Sequence, residues 1–404
     1  MPDKIAKCFF EVVDVNPIAA RRRNGHDAQR ILLIPFIMCN HIGIFTNLDM
    51  TGNSLIDKEL YKLTETSIFV FMKNVVILAT GGTIAGVGEP GKDMGYKSGS
   101  LTAKELVDAI PELSSIANIQ VEQVCNINSD DITSALWIKL AKRIAELQND
   151  PQVDGIVITH GTDTLEETAF FLTLTTAGTK PVILTGAMRP ATAAAPDGPA
   201  NLIFAVKSAV NIATDLASKC NSEGKGRDAQ HPENDRAPIL VAFADKLIPA
   251  ESVQKIHPNR LDAFAATDAE TARGNETARS LHFEIDGKES LPKGTLPKVT
   301  VLYFNAEADA AQIEFAAKTA RGLVIAGAGA GEFSQSWIDA LSRIKIPVVI
   351  TSRINAGRIL PEQLLVPGTI AGYSLPAPKA AVLLRLALTK TDNPAKIQEF
   401  FAKF

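Results

Sequence analysis

Val75-Val76-Ile77-Leu78-Ala79-Thr80-Gly81-Gly82-Thr83-Ile84-Ala85 and, further along, Gly155-Ile156-Val157-Ile158-Thr159-His160-Gly161-Thr162-Asp163-Thr164-Leu165 share one plan: an apolar run ending in a glycine-bearing turn with a threonine just beyond it. Short uninterrupted apolar runs rich in β-branched residues read as strands buried on both faces, the form strands take in parallel sheets. Open α/β sheets bind ligands in the crevice outside the carboxyl ends of their strands, so each turn sets a hydroxyl where a ligand would lie. Glycine lets the backbone bend sharply there and leaves room for close approach. Either turn alone reads equally well as a strand-to-helix connection with a capping hydroxyl. The two together point to chemistry.

Outward from these turns the chain alternates strands with amphipathic helices, which predicts a mostly parallel sheet flanked by helices. Strands are expected at 75–79, 119–124, 155–159, 182–185 and 239–242, and helices at 103–109, 132–147, 165–173 and 200–213. Asp197-Gly198-Pro199 suits a helix entrance, because proline is tolerated in the first turn. A second alternation follows the polar stretch 267–296, with strands at 299–303, 323–326 and 348–351 and helices near 310–319, 335–343 and 377–388. The expected fold class is therefore α/β in two domains: a larger N-terminal domain at 74–283, a linker at 284–297 and a smaller C-terminal α/β domain at 298–404. Residues 1–73 show no sustained period and read as an extension, disordered or arising from a misassigned start upstream of Met72.

A chain of 404 residues is long enough for two cores. Its net charge of -4 leaves no basic surplus to displace counterions from phosphates, which argues against nucleic acid as a partner. Cys8, Cys39, Cys125 and Cys220 are too widely spaced for a CxxC metal site or a dense disulfide framework, so a reduced compartment is the simpler reading. No stretch reaches the ~20 apolar residues of a membrane span. Residues 31–39 follow Arg21-Arg22-Arg23 and have the apolar character of a secretory signal, but a long mixed stretch precedes them, Pro35 interrupts them and no small-residue cleavage site follows. A cytoplasmic location is expected, with a periplasmic or secreted one as the alternative.

Several rival motifs fail on physical grounds. Gly86-Val87-Gly88-Glu89-Pro90-Gly91-Lys92-Asp93 nearly spells a phosphate-binding loop, but Asp93 replaces the magnesium-binding hydroxyl, Glu89 would face phosphate and Pro90 lacks the N–H donor. Gly327-Ala328-Gly329-Ala330-Gly331 lacks the final spacing of a dinucleotide loop. The six histidines show no ligand spacing, and His160 reads as a packed turn residue, so neither a metal nor a cofactor is expected. No GxSxG elbow is present, so the catalytic work falls to threonine.

The two threonine signatures, followed in order by Glu122-Gln123-Val124 with Ser129, Gly186-Ala187-Met188-Arg189-Pro190, Asp197-Gly198-Pro199 and Asn201-Leu202, resemble the bacterial L-asparaginases of the type II asparaginase/glutaminase kind. The resemblance runs from about Asn74 to Phe404, leaves residues 220–237 as an insertion, and implies hydrolysis of L-asparagine, with L-glutamine as a second candidate substrate. It also implies a homotetramer whose site is completed by a neighbouring subunit; type II relatives are often exported.

Carried onto this chain, the resemblance makes Thr83 the nucleophile that forms an acyl-enzyme, with Tyr96 assisting from a lid, and Thr162, Asp163 and Lys255 a second constellation activating the attacking group or water. A hydroxyl needs such a neighbour, since it is a poor nucleophile at neutral pH, and burial of a lysine favours its neutral, basic form. Gly82, Ser129 and the backbone at Gly161 are expected to receive the substrate, with the α-carboxylate at Ser129 and Gly161 and the side-chain amide at the main chain of Ala187. Asp130 stands where the family carries glutamine or glutamate for the α-ammonium, on a shorter stem. Glu307 stands where relatives place an asparagine supplied across the subunit interface. Two rival functions share parts of this pattern: an amidotransferase subunit that liberates ammonia for tRNA-dependent amidation, and a catalytically silent asparagine sensor.

Overall fold

The structure, a computed structural model, describes residues 72–93, 95–222, 237–266, 281–283 and 294–404. The expected extension therefore lies outside the described residues except for Met72 and Lys73, as do most of the expected insertion and the expected linker.

A six-stranded sheet forms the larger half. Its strands are β1 (Asn74–Gly81), β2 (Asn118–Ile127), β3 (Gly155–Thr159), β4 (Val182–Thr185), β5 (Ile239–Phe243) and β6 (Lys246–Pro249). They lie in the order β2-β1-β3-β4-β5-β6, parallel except for the antiparallel β5–β6 pair. The helices between them are α1 (Ala103–Asp108), α2 (Ser134–Asn149), α3 (Leu165–Thr175) and α4 (Gly198–Ser222). Both faces of the sheet are covered, which is why its central strands are apolar throughout. Val75, Ile77, Val157 and Ile183 pack toward Leu106 of α1 and Leu202 and Val206 of α4. Val76, Leu78, Ile156 and Ile158 point the other way, toward Trp137 of α2 and Phe170 and Phe171 of α3.

The smaller half holds β9 (Val299–Tyr303), α5 (Ala311–Ala317), β10 (Gly322–Gly327), α6 (Gln335–Leu341), β11 (Val348–Ser352), β12 (Ile370–Ala371), α7 (Ala377–Ala387) and α8 (Pro394–Phe401). Its four strands are parallel in the order β12-β11-β10-β9. Helix α7 packs against both α3 and β10. Its buried Leu383, Leu384 and Leu386 share one core with Phe170 of the larger half and Val324 of the smaller. Two apolar faces that would each be unstable in water thus cover one another.

The differences from the sequence reading have local causes. Helix α2 begins at Ser134 and not at 132, because Thr133 caps it, its hydroxyl accepting from the Leu136 N–H at 3.3 Å. Helix α4 runs past 213 to Ser222, into the expected insertion, since neither glycine nor proline interrupts the chain after Pro199 until Gly224. Strand β6 and the hairpin of β7 (Val253–Lys255) with β8 (Phe264–Ala266) are too short to carry a periodic signal. Phe283 and Leu296, at the ends of the expected linker, are buried in the main core.

The β1–β3 register aligns Ala79 with Thr159, so the two threonine turns leave the sheet side by side. Gly82 has φ +83°, and a Cβ added there would overlap the Gly161 backbone. Gly91 also has positive φ, +82°, yet a Cβ there would meet nothing within 4 Å. Gly91→Ala should therefore show only the left-handed strain of ~1–2 kcal/mol. Gly82→Ala should cost clearly more in chemical denaturation, and equal losses for the two variants would refute a packing role for Gly82.

Candidate active site

Thr83 opens a single turn of 3-10 helix directly after β1 and is buried. Its Oγ1 lies 2.9 Å from the Tyr96 hydroxyl, and either oxygen can donate. Tyr96 is delivered by a returning hairpin in which Val87 and Lys97 exchange backbone hydrogen bonds of 3.0 and 2.9 Å. Gly86 and Gly88 have no side chains because the tyrosine occupies that space: a Cβ on either would come within 2.9 Å of it. The N–H groups of Gly88 and Gly91, which a phosphate loop would offer to its ligand, donate instead to Thr192. The segment expected as a lid is thus a hairpin strapped to the loop before α4.

The second turn gathers the other three expected catalytic residues. Lys255 Nζ donates to Thr162 Oγ1 at 2.8 Å and to Asp163 Oδ1 at 2.6 Å. Thr162 is buried, and the Lys255 side chain is 15% exposed against 69% for that of Asp163. The lysine stem is sheltered while its carboxylate partner faces solvent.

The expected substrate-binding residues divide. Ser129 is buried between the turns; its Oγ accepts from the Asp163 N–H at 3.2 Å and its carbonyl from the Thr164 hydroxyl at 2.6 Å. Gly161 touches it so closely that a Cβ would sit 2.8 Å from the Ser129 side chain. Ala187 is buried after β4, where the Asp197 carboxylate accepts from the N–H groups of Met188 and Arg189, each at 2.9 Å. Asn201 donates to the Gly186 carbonyl at 3.0 Å and accepts from the Ala244 N–H at 3.1 Å, fixing the same turn. Asp130 is exposed beside Ser129. Glu307 is exposed in the turn after β9 with φ 59°, and it enters none of the hydrogen bonds that knit the two threonine turns.

His160 is fully enclosed and packed, as a turn residue should be. Trp137 Nε1–H donates to Thr168 Oγ1 at 2.8 Å, Thr168 Oγ1 lies 3.0 Å from His160 Nε2, and His160 Nδ1 lies 2.7 Å from the Gly161 carbonyl. Tryptophan only donates and the carbonyl only accepts, so a neutral His160 carries its proton on Nδ1 and accepts from Thr168 at Nε2. Burial pushes its pKa down to about 4, in keeping with that neutral tautomer.

The sequence reading missed two ionisable residues behind Lys255. Glu166 Oε2 accepts from the Lys255 backbone N–H at 2.6 Å, and burial raises its pKa. Lys379 of α7 is 0% exposed and donates to the carbonyls of Ala250, Glu251 and Val253 at 3.0, 2.8 and 2.6 Å. Glu166 reads in sequence as an ordinary acid in a helix's first turn. Lys379 left a fainter trace, a lone lysine in the apolar run Ala380-Ala381-Val382-Leu383-Leu384. Among the described residues no group of three or more His, Cys, Asp or Glu side chains is placed to hold a metal ion.

Residues 74–220 match the family described as Asparaginase, N-terminal, and residues 298–401 match the Glutaminase/Asparaginase C-terminal domain. L-asparaginase 2 of Bacillus subtilis is 36% identical over 348 residues, covering 82% of this chain and 87% of the relative. A probable periplasmic L-asparaginase of Haemophilus influenzae is 35% identical over 354 residues, covering 82% and 93%. The crystal structure of a probable cytoplasmic L-asparaginase from Campylobacter jejuni superposes with a TM-score of 0.67 at 35% identity, covering 82% of this chain and all of that one.

The buried imidazole gives this site a measurable pH signature. The folded pKa of His160 is depressed to about 4 from 6.5, so the unfolded chain takes up the proton first as pH falls. Stability from the neutral ring is complete above about pH 6.5 and is lost down to about pH 4, a change on the order of 3 kcal/mol. A His160→Gln variant should be less stable than the parent at about pH 7, with the gap narrowing toward pH 5. A gap in urea titrations that stays constant across that range would refute the buried neutral ring.

Proposed function

The chain belongs to the asparaginase family, and from that premise we propose that it hydrolyses L-asparagine to L-aspartate and ammonia through a threonine nucleophile. The observation that carries the reading is the meeting of two activated hydroxyls, Thr83 with Tyr96 and Thr162 with Lys255 and Asp163, on adjacent strand ends.

Thr83 Oγ1 attacks the side-chain amide carbon and loses its proton as the C–O bond forms. Tyr96, 2.9 Å away, is the nearest group to receive or relay that proton. The tetrahedral intermediate expels the amide nitrogen, which takes up a proton and leaves as ammonia, and an ester joins the aspartyl group to Thr83. The set of Thr162, Lys255 and Asp163 then assists water in hydrolysing the ester, returning the proton to Thr83. Ser129 and the Gly161 backbone receive the α-carboxylate, Asp130 the α-ammonium, and the main chain at Gly82 and Ala187 lines the reacting amide. No step calls for a metal or cofactor. L-glutamine is the second candidate substrate, in keeping with the name of the C-terminal family domain.

Neither the amidotransferase subunit nor the silent sensor is favoured, because the relatives above are named as asparaginases over most of this chain. We place the enzyme in the cytoplasm, with export as the alternative; the named relatives include both kinds. No helix among the described residues is long and apolar enough to cross a membrane. The exposed Glu307 suits a contribution to a neighbouring subunit's site within a homotetramer. Residues 1–73 lie outside both family matches, and the described site lies wholly beyond them, which supports the reading of an extension dispensable for catalysis.

Ammonia release from both amides tests the chemistry directly. Thr83→Ala should fold and lose several orders of magnitude in turnover, Thr83→Ser should keep measurable activity, and Thr162→Ala should match Thr83→Ala. The double variant should be little worse than either, as expected of groups that act as a unit. Near-normal turnover by Thr83→Ala would end the acyl-enzyme proposal. Asp130→Ala should raise KM far more than it lowers kcat, since a contact made equally in ground and transition states acts through binding. A chain beginning at Met72 should deamidate like the full one, and its failure to fold would show that the extension belongs to the fold.

A further inference from the structure

Lys255 stands on a weak foundation for a residue whose amine must reach two partners. It ends β7, a strand of three residues paired only with β8 and outside the six-stranded sheet. An isolated two-stranded ribbon is marginal by itself, so other contacts must hold the lysine in place.

Two ionisable side chains supply them, Glu166 partly buried and Lys379 fully so. Glu166 accepts the Lys255 backbone N–H at 2.6 Å. It lies one residue into α3, on the same chain turn as Thr162 and Asp163, which take the Lys255 amine. Backbone and side chain of the lysine are thus latched to one turn. Lys379 reaches across from α7 and gathers the carbonyls of Ala250, Glu251 and Val253, the segment that leads into Lys255.

Such an arrangement is costly for stability alone. An ammonium with no exposed surface loses its hydration, and apolar side chains of similar volume commonly serve a core as well or better than buried charges. Burial pushes the Lys379 pKa down to about 8, with Glu166 and Glu251 opposing the fall. The Phe170 ring lies 5.6 Å beneath the amine. What a lysine does here and a leucine cannot is fix three carbonyls at once.

We propose that Glu166 and Lys379 are positioning residues for the reaction, holding the Lys255 amine on Thr162 and Asp163 and tying it to the C-terminal half of the chain. This rests on the reading of Lys255 as a catalytic residue, and the test separates the two. Neither residue touches the site where substrate is placed, so their loss acts through Lys255 geometry, where displacement by about 1 Å lowers turnover on the order of 100-fold.

The experiment measures kcat and KM for L-asparagine by ammonia release, with thermal unfolding alongside, in the full chain. Glu166→Ala should lower kcat on the order of 100-fold with KM changed less than about threefold. Glu166→Gln keeps an acceptor for the Lys255 N–H and should recover at least tenfold of that loss. In a Lys255→Met background, Glu166→Ala should cause no further fall in kcat, because the group it positions is gone. Lys379→Met should behave like Glu166→Ala, and if it fails to fold the Glu166 series decides alone. An equal fall in kcat from Glu166→Ala with and without Lys255 would overturn the proposal, leaving Glu166 a structural residue. Undiminished turnover in Lys255→Met would instead overturn the catalytic reading of Lys255 on which the proposal stands. Collapse in Lys255→Met with full activity in Glu166→Ala would overturn the positioning role only.

Discussion

The contact between the Gly82 and Gly161 backbones is the constraint on which the rest of the site depends. Neither position has space for a Cβ: at Gly82 it would overlap Gly161, and at Gly161 it would press on Ser129. Adjacent parallel strands run about 4.8 Å apart, and turns leaving them would ordinarily be kept further apart by their side chains. Two glycines remove that barrier and let the Thr83 and Thr162 turns share one crevice. The strand order explains why the crevice is here. The chain leaves β1 toward β2 on one side and leaves β3 toward β4 on the other, and the gap at this switch point is where such sheets receive ligands.

The eight residues from His160 to Glu167, a turn and the start of α3, then do several jobs. His160 is held by Trp137 through Thr168 and in turn holds the Gly161 carbonyl. Thr162 and Asp163 take the Lys255 amine, and Glu166 takes its backbone N–H. Burial sets the chemistry of the remaining acid, since Glu167 is pushed up to about 7 by desolvation with the Glu166 charge adding to the effect. The two buried polar side chains of this span, His160 and Thr162, would be unfavourable were they unpaired. Here both are paired, His160 with Thr168 and the Gly161 carbonyl and Thr162 with Lys255.

What could be read from the sequence follows from the range of the interactions concerned. The central strands were legible because burial on both faces imposes an unbroken apolar run, as in Val75-Val76-Ile77-Leu78-Ala79. Thr83, Tyr96, Thr162, Asp163 and Lys255 were named from a family pattern, and the structure brings them together in two clusters. Glu166 and Lys379 were not legible, because their roles depend on partners 89 and 126 or more positions away. Nothing local distinguishes a first-turn glutamate that caps a distant strand from one that faces water. The β7–β8 hairpin escaped notice for a related reason: three residues are too few for a period, and the side chains that bond to its backbone, Glu166 and Lys379, come from distant helices.

Holding Thr83, the proposed nucleophile, and the lysine set on separate elements also fits the demands of the proposed two-step hydrolysis. A reacting carbon must come within about 3 Å of an attacking oxygen in each step, once of a threonine hydroxyl and once of water. A hydroxyl tied permanently to the lysine would be well placed for one attack and would obstruct the other. In this fold Thr83 is paired with Tyr96, on a hairpin that belongs to neither α3 nor β7, while Lys255 is engaged with Thr162 and Asp163. The exposure gradient across the second set runs the same way. Asp163 stands at the solvent side, Lys255 is sheltered behind it and Thr162 is buried. The lysine set thus opens to solvent at its carboxylate end, which suits its proposed part in activating water.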